Sequence, residues 1–164
     1  MNEQTEHIEC QTLFGETKLI PVSQLRRRVS AYGLILNDDH LLLARGRHTG
    51  RYALPGGGAN VGETLQAALE REIREEVGIA VEVKRYLHFH EDFFYYDPSG
   101  HAFHSLMFYY WCAPLSLTLI DDAQVQDEDV GHPQWVPVGD LTAGAFQTQG
   151  EVTMQLLETI RALR

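Results

Sequence analysis

The sequence predicts a three-layer chain of the α/β or α+β class, with one central sheet flanked by two helices. Three observations carry that reading. Runs rich in β-branched and aromatic residues recur between turn signals. A stretch of 13 residues free of Gly and Pro follows a glycine-rich region, and the C-terminal tail repeats apolar residues at helical spacing. With 164 residues, 44% of them apolar, the chain suffices for one domain over residues 1–164. A domain of that size buries roughly two thirds of its unfolded surface and needs no staples.

Taken in order, residues 8–20 alternate weakly in polarity and predict an N-terminal edge strand or hairpin within an extension over residues 1–29. The basic cluster Arg26, Arg27 and Arg28 comes next. It reads either as solvated charge at a strand entrance or as a source of one phosphate contact. VSAYGLIL (29–36) is a buried strand, NDDH a tight turn and LLLAR its partner, so residues 30–45 form a hairpin. The following run, GRHTGRYALPGGGANVGE, holds six of the chain's 14 glycines. Such density calls for positive φ or for close approach of the backbone to another group. Glu63 and Thr64 then precede a helix over residues 65–77, with Gly78 placed just past its end. A long strand over 79–96, the DPSG turn, a strand over 104–113 and a short one over 133–138 follow. Val152, Leu156, Leu157, Ile160 and Leu163 give the last helix, 151–163, one apolar face.

Composition narrows the function. A formal charge of -10 opposes a general nucleic-acid surface, which needs Lys and Arg to neutralise phosphates. The start MNEQTEHIEC has neither a basic nor an apolar segment, and no apolar run of membrane-spanning length occurs, so no membrane association is expected. Cys10 and Cys112 have no ligand spacing and read as thiols in a reducing cytoplasm. His88, His90, His101 and His104 lack a cysteine to complete a zinc site. The aromatics among them divide between core packing and a stacking surface.

The helix over 65–77 breaks its own pattern. At about 100° per residue, with Leu65 at zero, Ala68, Leu69 and Ile73 define a buried stripe from about -60° to about 80°. Glu72 and Glu76 fall near -20° and 20°, inside that stripe, and Glu75 lies at its edge. Arg71, Arg74 and Glu70 point elsewhere. Carboxylates at i,i+4 repel one another, partial burial disfavours their charge, and the C-terminal half of a helix disfavours anions. A compensating cation is therefore required. It is either basic side chains in an ordinary salt-bridge network or a hard divalent ion, Mg²⁺ or Mn²⁺, for which oxygen ligands are matched.

The segment GGANVGETLQAALEREIREEVGI, residues 57–79, resembles the signature of the Nudix hydrolases: a glycine, five residues, Glu63, seven residues, then REIREEVGI. It covers 23 of 164 residues and fills every fixed position. The resemblance implies a three-layer α/β/α sandwich with a central mixed sheet, and Mg²⁺-dependent hydrolysis of a nucleoside diphosphate linked to another moiety. It implies Glu72 and Glu76 as main metal ligands, Glu75 as a further or water-mediated ligand and the Gly56 carbonyl completing the inner sphere. Glu63 and Arg71 would tie loop to helix. The general base would be Glu72, Glu75 or a carboxylate from QDEDVGHPQW; of Asp127, Glu128 and Asp129, the last two are favoured. Metal would reverse the local sign and let an acidic chain accept a pyrophosphate.

Pointers to the substrate are weaker. Arg45, Arg47 and Arg51 at the loop entrance are candidate phosphate contacts. Tyr95 and Tyr96 stand where some Nudix members resemble dinucleoside polyphosphate hydrolases, and Pro98 is too far along for the ADP-ribose pattern. The motifs of coenzyme A and NADH hydrolases are not found, and no added cysteine supports an isomerase. The intact signature favours an enzyme over a sensing domain that binds a nucleotide or nucleotide sugar without cleaving it. The family resemblance also implies a homodimer.

Overall fold

Among the described residues there are nine strands, the longer ones built from β-branched and aromatic runs, and the two segments of helical periodicity supply the helices that cover them. The computed structural model describes residues 6–164; the first five residues of the expected N-terminal extension lie outside the described residues. β1 (His7–Thr12) and β2 (Thr17–Pro21) form an antiparallel hairpin, the second of the two alternatives for this region. β3 (Leu25–Asn37) and β4 (His40–Gly46) form the next, turning at Asp38 in the left-handed region. Two short strands not anticipated from sequence, β5 (Tyr52–Ala53) and β6 (Gly56–Gly58), lie inside the glycine-rich run. α1 (Leu65–Val77) follows, then β7 (Val81–Tyr96), β8 (His101–Pro114), β9 (Val130–Pro137) and α2 (Gly150–Leu163).

The sheet runs β2-β1-β7-β8-β3-β4-β5, with β6 also paired to β3 and β9 to β4. It is mixed: β3 runs parallel to β8 from Leu25 opposite Ala102 to Ile35 opposite Cys112, whereas β7 and β8 are antiparallel. Side chains alternate between faces along each strand. From β3, Ala31 and Ile35 pack on Leu69, Ile73 and Val77 of α1, while Leu34 and Leu36 pack with Leu156, Leu157 and Ile160 of α2. The three layers expected from sequence are present. Cys10 and Cys112 are buried free thiols, and burial pushes Cys112 up to about 12. No helix among the described residues is long and apolar enough to cross a membrane.

Local chemistry sets the ends of α1. The Thr64 hydroxyl accepts from the Ala67 N–H at 3.1 Å, an N-cap that satisfies an otherwise unpaired donor. Gly78, at φ 82°, closes the helix by donating to Arg74 and Ile73 carbonyls. β3 corrects one expectation. Arg26, Arg27 and Arg28 lie within the strand, not before it, because pairing with β8 already begins at Leu25. Their alternation sends Arg28 to the same face as Ser30 and Tyr32, which line a cavity.

Candidate active site

That cavity, about 440 Å³, is walled by the inward faces of β3, β7 and β8, by β6, by two glutamates of α1, by the loop before β9 and by residues 147–149. β6 is made of glycine alone. It runs antiparallel to β3, with Gly56 opposite Tyr32 and Gly57 opposite Ala31. A Cβ on Gly57 would stand 2.8 Å from the Glu72 carboxyl carbon, so the missing side chain is what lets α1 present its carboxylates.

The helical wheel placed Glu72 and Glu76 on the inward stripe, and both line the cavity. Glu76 is 4% exposed. Its Oε2 accepts the Gly56 N–H at 3.0 Å, and it enters no ion pair among the described residues. Burial pushes its carboxyl well above the ordinary range; the Gly56 N–H opposes this, and Glu72, Asp127 and Glu75 reinforce it. Glu72 is also raised, first by burial, against the lowering effect of Arg71. One oxygen each from Glu72, Glu76 and Asp127 lies within 4.8 Å of the others. Among the described residues this is the group of acidic, His or Cys side chains placed to hold a cation. Three oxygen donors, one buried without a basic partner, fit Mg²⁺ or Mn²⁺.

Arg71 departs from its expected orientation. Its long side chain reaches back to the stripe: Nη1 donates to Glu72 at 2.9 Å and to Glu75 at 3.4 Å. Its Nε and Nη2 donate to Glu63 at 2.8 and 3.0 Å, and Nη2 also to the Gly58 carbonyl at 3.0 Å. Glu63 accepts the Asn60 N–H as well. Of the three clustered glutamates, Glu72 and Glu75 thus pair with Arg71, which also pairs with Glu63 in the loop, and Glu76 enters no ion pair among the described residues. Glu75, with its side chain 59% exposed, does not line the cavity.

In the loop before β9, the structure separates three consecutive acids. Asp127 and Asp129 line the cavity; Glu128 is exposed and does not. Asp127 Oδ1 accepts the N–H groups of Asp129 and Val130 at 2.7 and 3.0 Å, which fixes its carboxyl in a local turn. Asp129 accepts the hydroxyl of Tyr96, which also lines the cavity. Burial and then this carboxylate drive the Tyr96 hydroxyl upward. Tyr95 points to the other face, where Lys18 lies 4.1 Å from its ring centroid.

The three arginines expected at the phosphates do not line the cavity. Arg45 donates to the Gly50 carbonyl and stacks on Tyr52. Arg47 donates to Asp122 and to the Asp127 carbonyl. Arg51 donates to the Gly144 carbonyl. Arg28 is the arginine that does line it, its guanidinium 5.7 Å from the Phe103 ring centroid. Asp92, in β7, was passed over in the sequence. It lines the cavity, Gln149 donates to its Oδ2, and its buried Oδ1 has no partner. Burial raises its carboxyl. His90 and the side chains of Gln149 and Ser105 oppose that rise. Its signal in sequence was an acid between aromatics on a strand, HEDFF.

Comparison with known proteins bears on the family and the fold. A nucleoside triphosphatase NudI from Salmonella agona (strain SL483) is 44% identical over 59 residues, 33% of this chain and 42% of that protein. NudI from Escherichia coli O1:K1 / APEC is 46% identical over 59 residues, 33% and 42% of the two chains. The chain thus spans about 42% of the length of the curated relatives it matches. The fold is shared with a MutT NUDIX hydrolase from Burkholderia pseudomallei, at TM-score 0.65, 23% identity and coverage of 80% and 98%. It is shared too with an ADP-ribose pyrophosphatase from Streptococcus suis 89-1591, at TM-score 0.61, 18% identity and coverage of 82% and 92%. The NUDIX domain matches residues 26–156, from the arginines of β3 into α2, and by that match the chain belongs to the Nudix family.

Proposed function

We propose that the protein is a divalent-metal-dependent pyrophosphohydrolase, with Mg²⁺ or Mn²⁺, acting on a nucleoside diphosphate linked to another moiety. The observation that carries this is the convergence of Glu72, Glu76 and Asp127 to within 4.8 Å at the wall of a cavity. Family membership supports hydrolysis of the pyrophosphate class, and NudI and ADP-ribose pyrophosphatase are names within it.

Glu72, Glu76 and Asp127 would hold the metal, with the Gly56 carbonyl as a further donor and Glu75 contributing through water. Bound there, a divalent ion supplies positive charge against the phosphate oxygens and acidifies water. Arg28 faces the same space and meets a phosphate the metal leaves uncovered. Asp129 is the better placed general base of the two favoured acids, since it lines the cavity and Glu128 does not. Arg71 and Glu63 keep loop and helix together. Residues 1–164 form one domain in this reading, with β1 and β2 as its N-terminal extension.

The test is release of phosphate or nucleotide from ADP-ribose, nucleoside triphosphates and dinucleoside polyphosphates, with and without Mg²⁺. Turnover is expected only with metal, and Glu76→Gln should lower it by several orders of magnitude at unchanged circular dichroism. Tight binding without turnover of any panel member would replace the hydrolase with a sensing domain. Full activity of Glu76→Gln would remove that residue from the metal site.

A further inference from the structure

The hydrolytic reading gives work to the acids and to Arg28 and leaves the far end of the cavity without a role. That end is aromatic. Phe94 of β7 sits opposite Phe103 of β8, and Tyr96 sits opposite His101 one inward row further on; all four side chains line the cavity and are only partly buried. Tyr109 and Phe146, by contrast, are fully buried in the core that α2 covers. Phe94 and Phe103 belong to none of the three apolar clusters of the described residues, although Phe93 and Tyr95, on the opposite face of β7, pack against one of them. Leu13, in the turn of the N-terminal hairpin, adds an apolar wall beside these rings. Ring faces left uncovered by the core, in a concave wall, suit a flat apolar ligand.

Contacts mark the way from the acids to these rings. Glu72 lies against Gly57, and at the next residue a Cβ on Gly58 would stand 3.4 Å from Arg28 Nε. The Arg28 guanidinium is in turn 5.7 Å from the Phe103 ring centroid. A phosphate held at the acids through a cation, and met by Arg28, therefore sets an attached nucleoside over Phe103 and Phe94. Little at that end reads the edge of a base. Asp92, in the row before Phe94, has Oδ2 taken by Gln149 and Oδ1 shut off from solvent. The Tyr96 hydroxyl is engaged by Asp129. Ser99 and His101, which also line the cavity, carry a hydroxyl and an imidazole, each able to donate or to accept, so neither sorts guanine from adenine. A stacking face accepts any base, because every base has a π-face, and it holds the larger rings more firmly.

We propose that Phe94 and Phe103 form a base-stacking subsite, through which this cavity takes purine nucleotides without distinguishing guanine from adenine. The inference rests on the hydrolase reading only for where the phosphate lies. Calorimetric titration of AMP, GMP, CMP, UMP and ribose 5-phosphate in Mg²⁺ buffer tests it without calling on catalysis, since none of these probes holds a pyrophosphate. Wild type should bind AMP and GMP about equally, CMP and UMP less tightly and ribose 5-phosphate least. In proton resonance spectra, the base protons of bound AMP should move upfield under the ring current of a stacked ring. Phe103→Leu, which keeps an apolar side chain and removes the ring, should weaken AMP and GMP alike by about 5-fold or more, and leave ribose 5-phosphate unchanged. Ribose 5-phosphate binding as tight as AMP, base protons that do not shift, or unaltered purine binding by a folded Phe103→Leu would overturn the proposal. So would a preference of about 10-fold or more for one purine, the mark of an edge that is read. Should Phe103→Leu not fold, Phe94→Leu must weaken both purines in the same way; unchanged affinity would overturn it too. Hydrolysis of pyrophosphates whether or not they carry a base would defeat this inference alone. Purine binding in this pattern, with no hydrolysis of any purine-nucleoside pyrophosphate, would defeat the hydrolase reading alone.

Discussion

Arg71 concentrates the chemistry of the signature in a single side chain. It ties Glu63 in the loop to Glu72 on the helix and leaves Glu76 with the Gly56 N–H and no ion pair among the described residues. Its bond to Glu63 has a pH signature. The Arg71 guanidinium, first, and the Asn60 N–H hold the Glu63 carboxyl at about 2, below its ordinary 4.5. A depressed carboxyl stabilises the fold fully above its ordinary value and loses that contribution as pH falls toward the depressed one. Glu63→Gln should therefore lower the melting temperature at pH 7, and the difference from wild type should shrink from pH 4.5 toward pH 2. A difference that grows on acidification would show that the pair does not act this way. Periodicity made the burial of Glu76 legible, because helical geometry sets the direction of each Cβ. It could not show the reach of Arg71, whose end lies several rotatable bonds from its Cβ. Nor could it choose among Asp127, Glu128 and Asp129, since three consecutive loop residues have no fixed period.

At the scale of elements, the loop between β8 and β9 delivers Asp127 to the helix, and Arg47 latches it. That arginine donates to the Asp122 carboxylate and the Asp127 carbonyl, while its own N–H donates to the Asp129 carbonyl. The Asp122 carboxylate also accepts the His132 N–H. Arg47 was expected at the phosphates because it is basic and lies near the glycine-rich loop; its partners lie 75 and 80 residues further along, beyond any local pattern. Arg47→Ala should free the loop and weaken Mn²⁺ binding by about 10- to 100-fold, the usual effect of losing an outer support of a metal ligand. Paramagnetic resonance titration of Mn²⁺ measures it. Affinity equal to wild type would mean that Asp127 is held without the latch.

At the scale of the whole molecule, the nine strands and two α-helices of the described residues gather like charges at one place on a chain already at -10. A ligand that binds only the folded state stabilises it by mass action, about 2.7 kcal/mol at a hundredfold excess over Kd. Mg²⁺ should accordingly raise the melting temperature of wild type by several degrees at pH 7.5, and by much less in Glu76→Gln. Scanning calorimetry distinguishes the two, and an equal rise in both would place the effect outside this cluster. The helices and the larger strands were readable because burial on one face imposes a period. Strand order was not. Nothing local in residues 25–35 announces their partner, and β6, three glycines with no side chain to alternate, has no period at all.

The parallel register of β3 on β8 also bears on how the molecule comes into being. Leu25 must meet Ala102, and the connection between them includes α1 and all of β7. Pairings so distant along the chain carry the full entropy of loop closure and form late in folding. The cavity floor spans that pairing, whereas Glu72 and Glu76 share a helix that can form locally. A nascent chain thus holds two of its clustered carboxylates in place before the floor of the cavity they face exists.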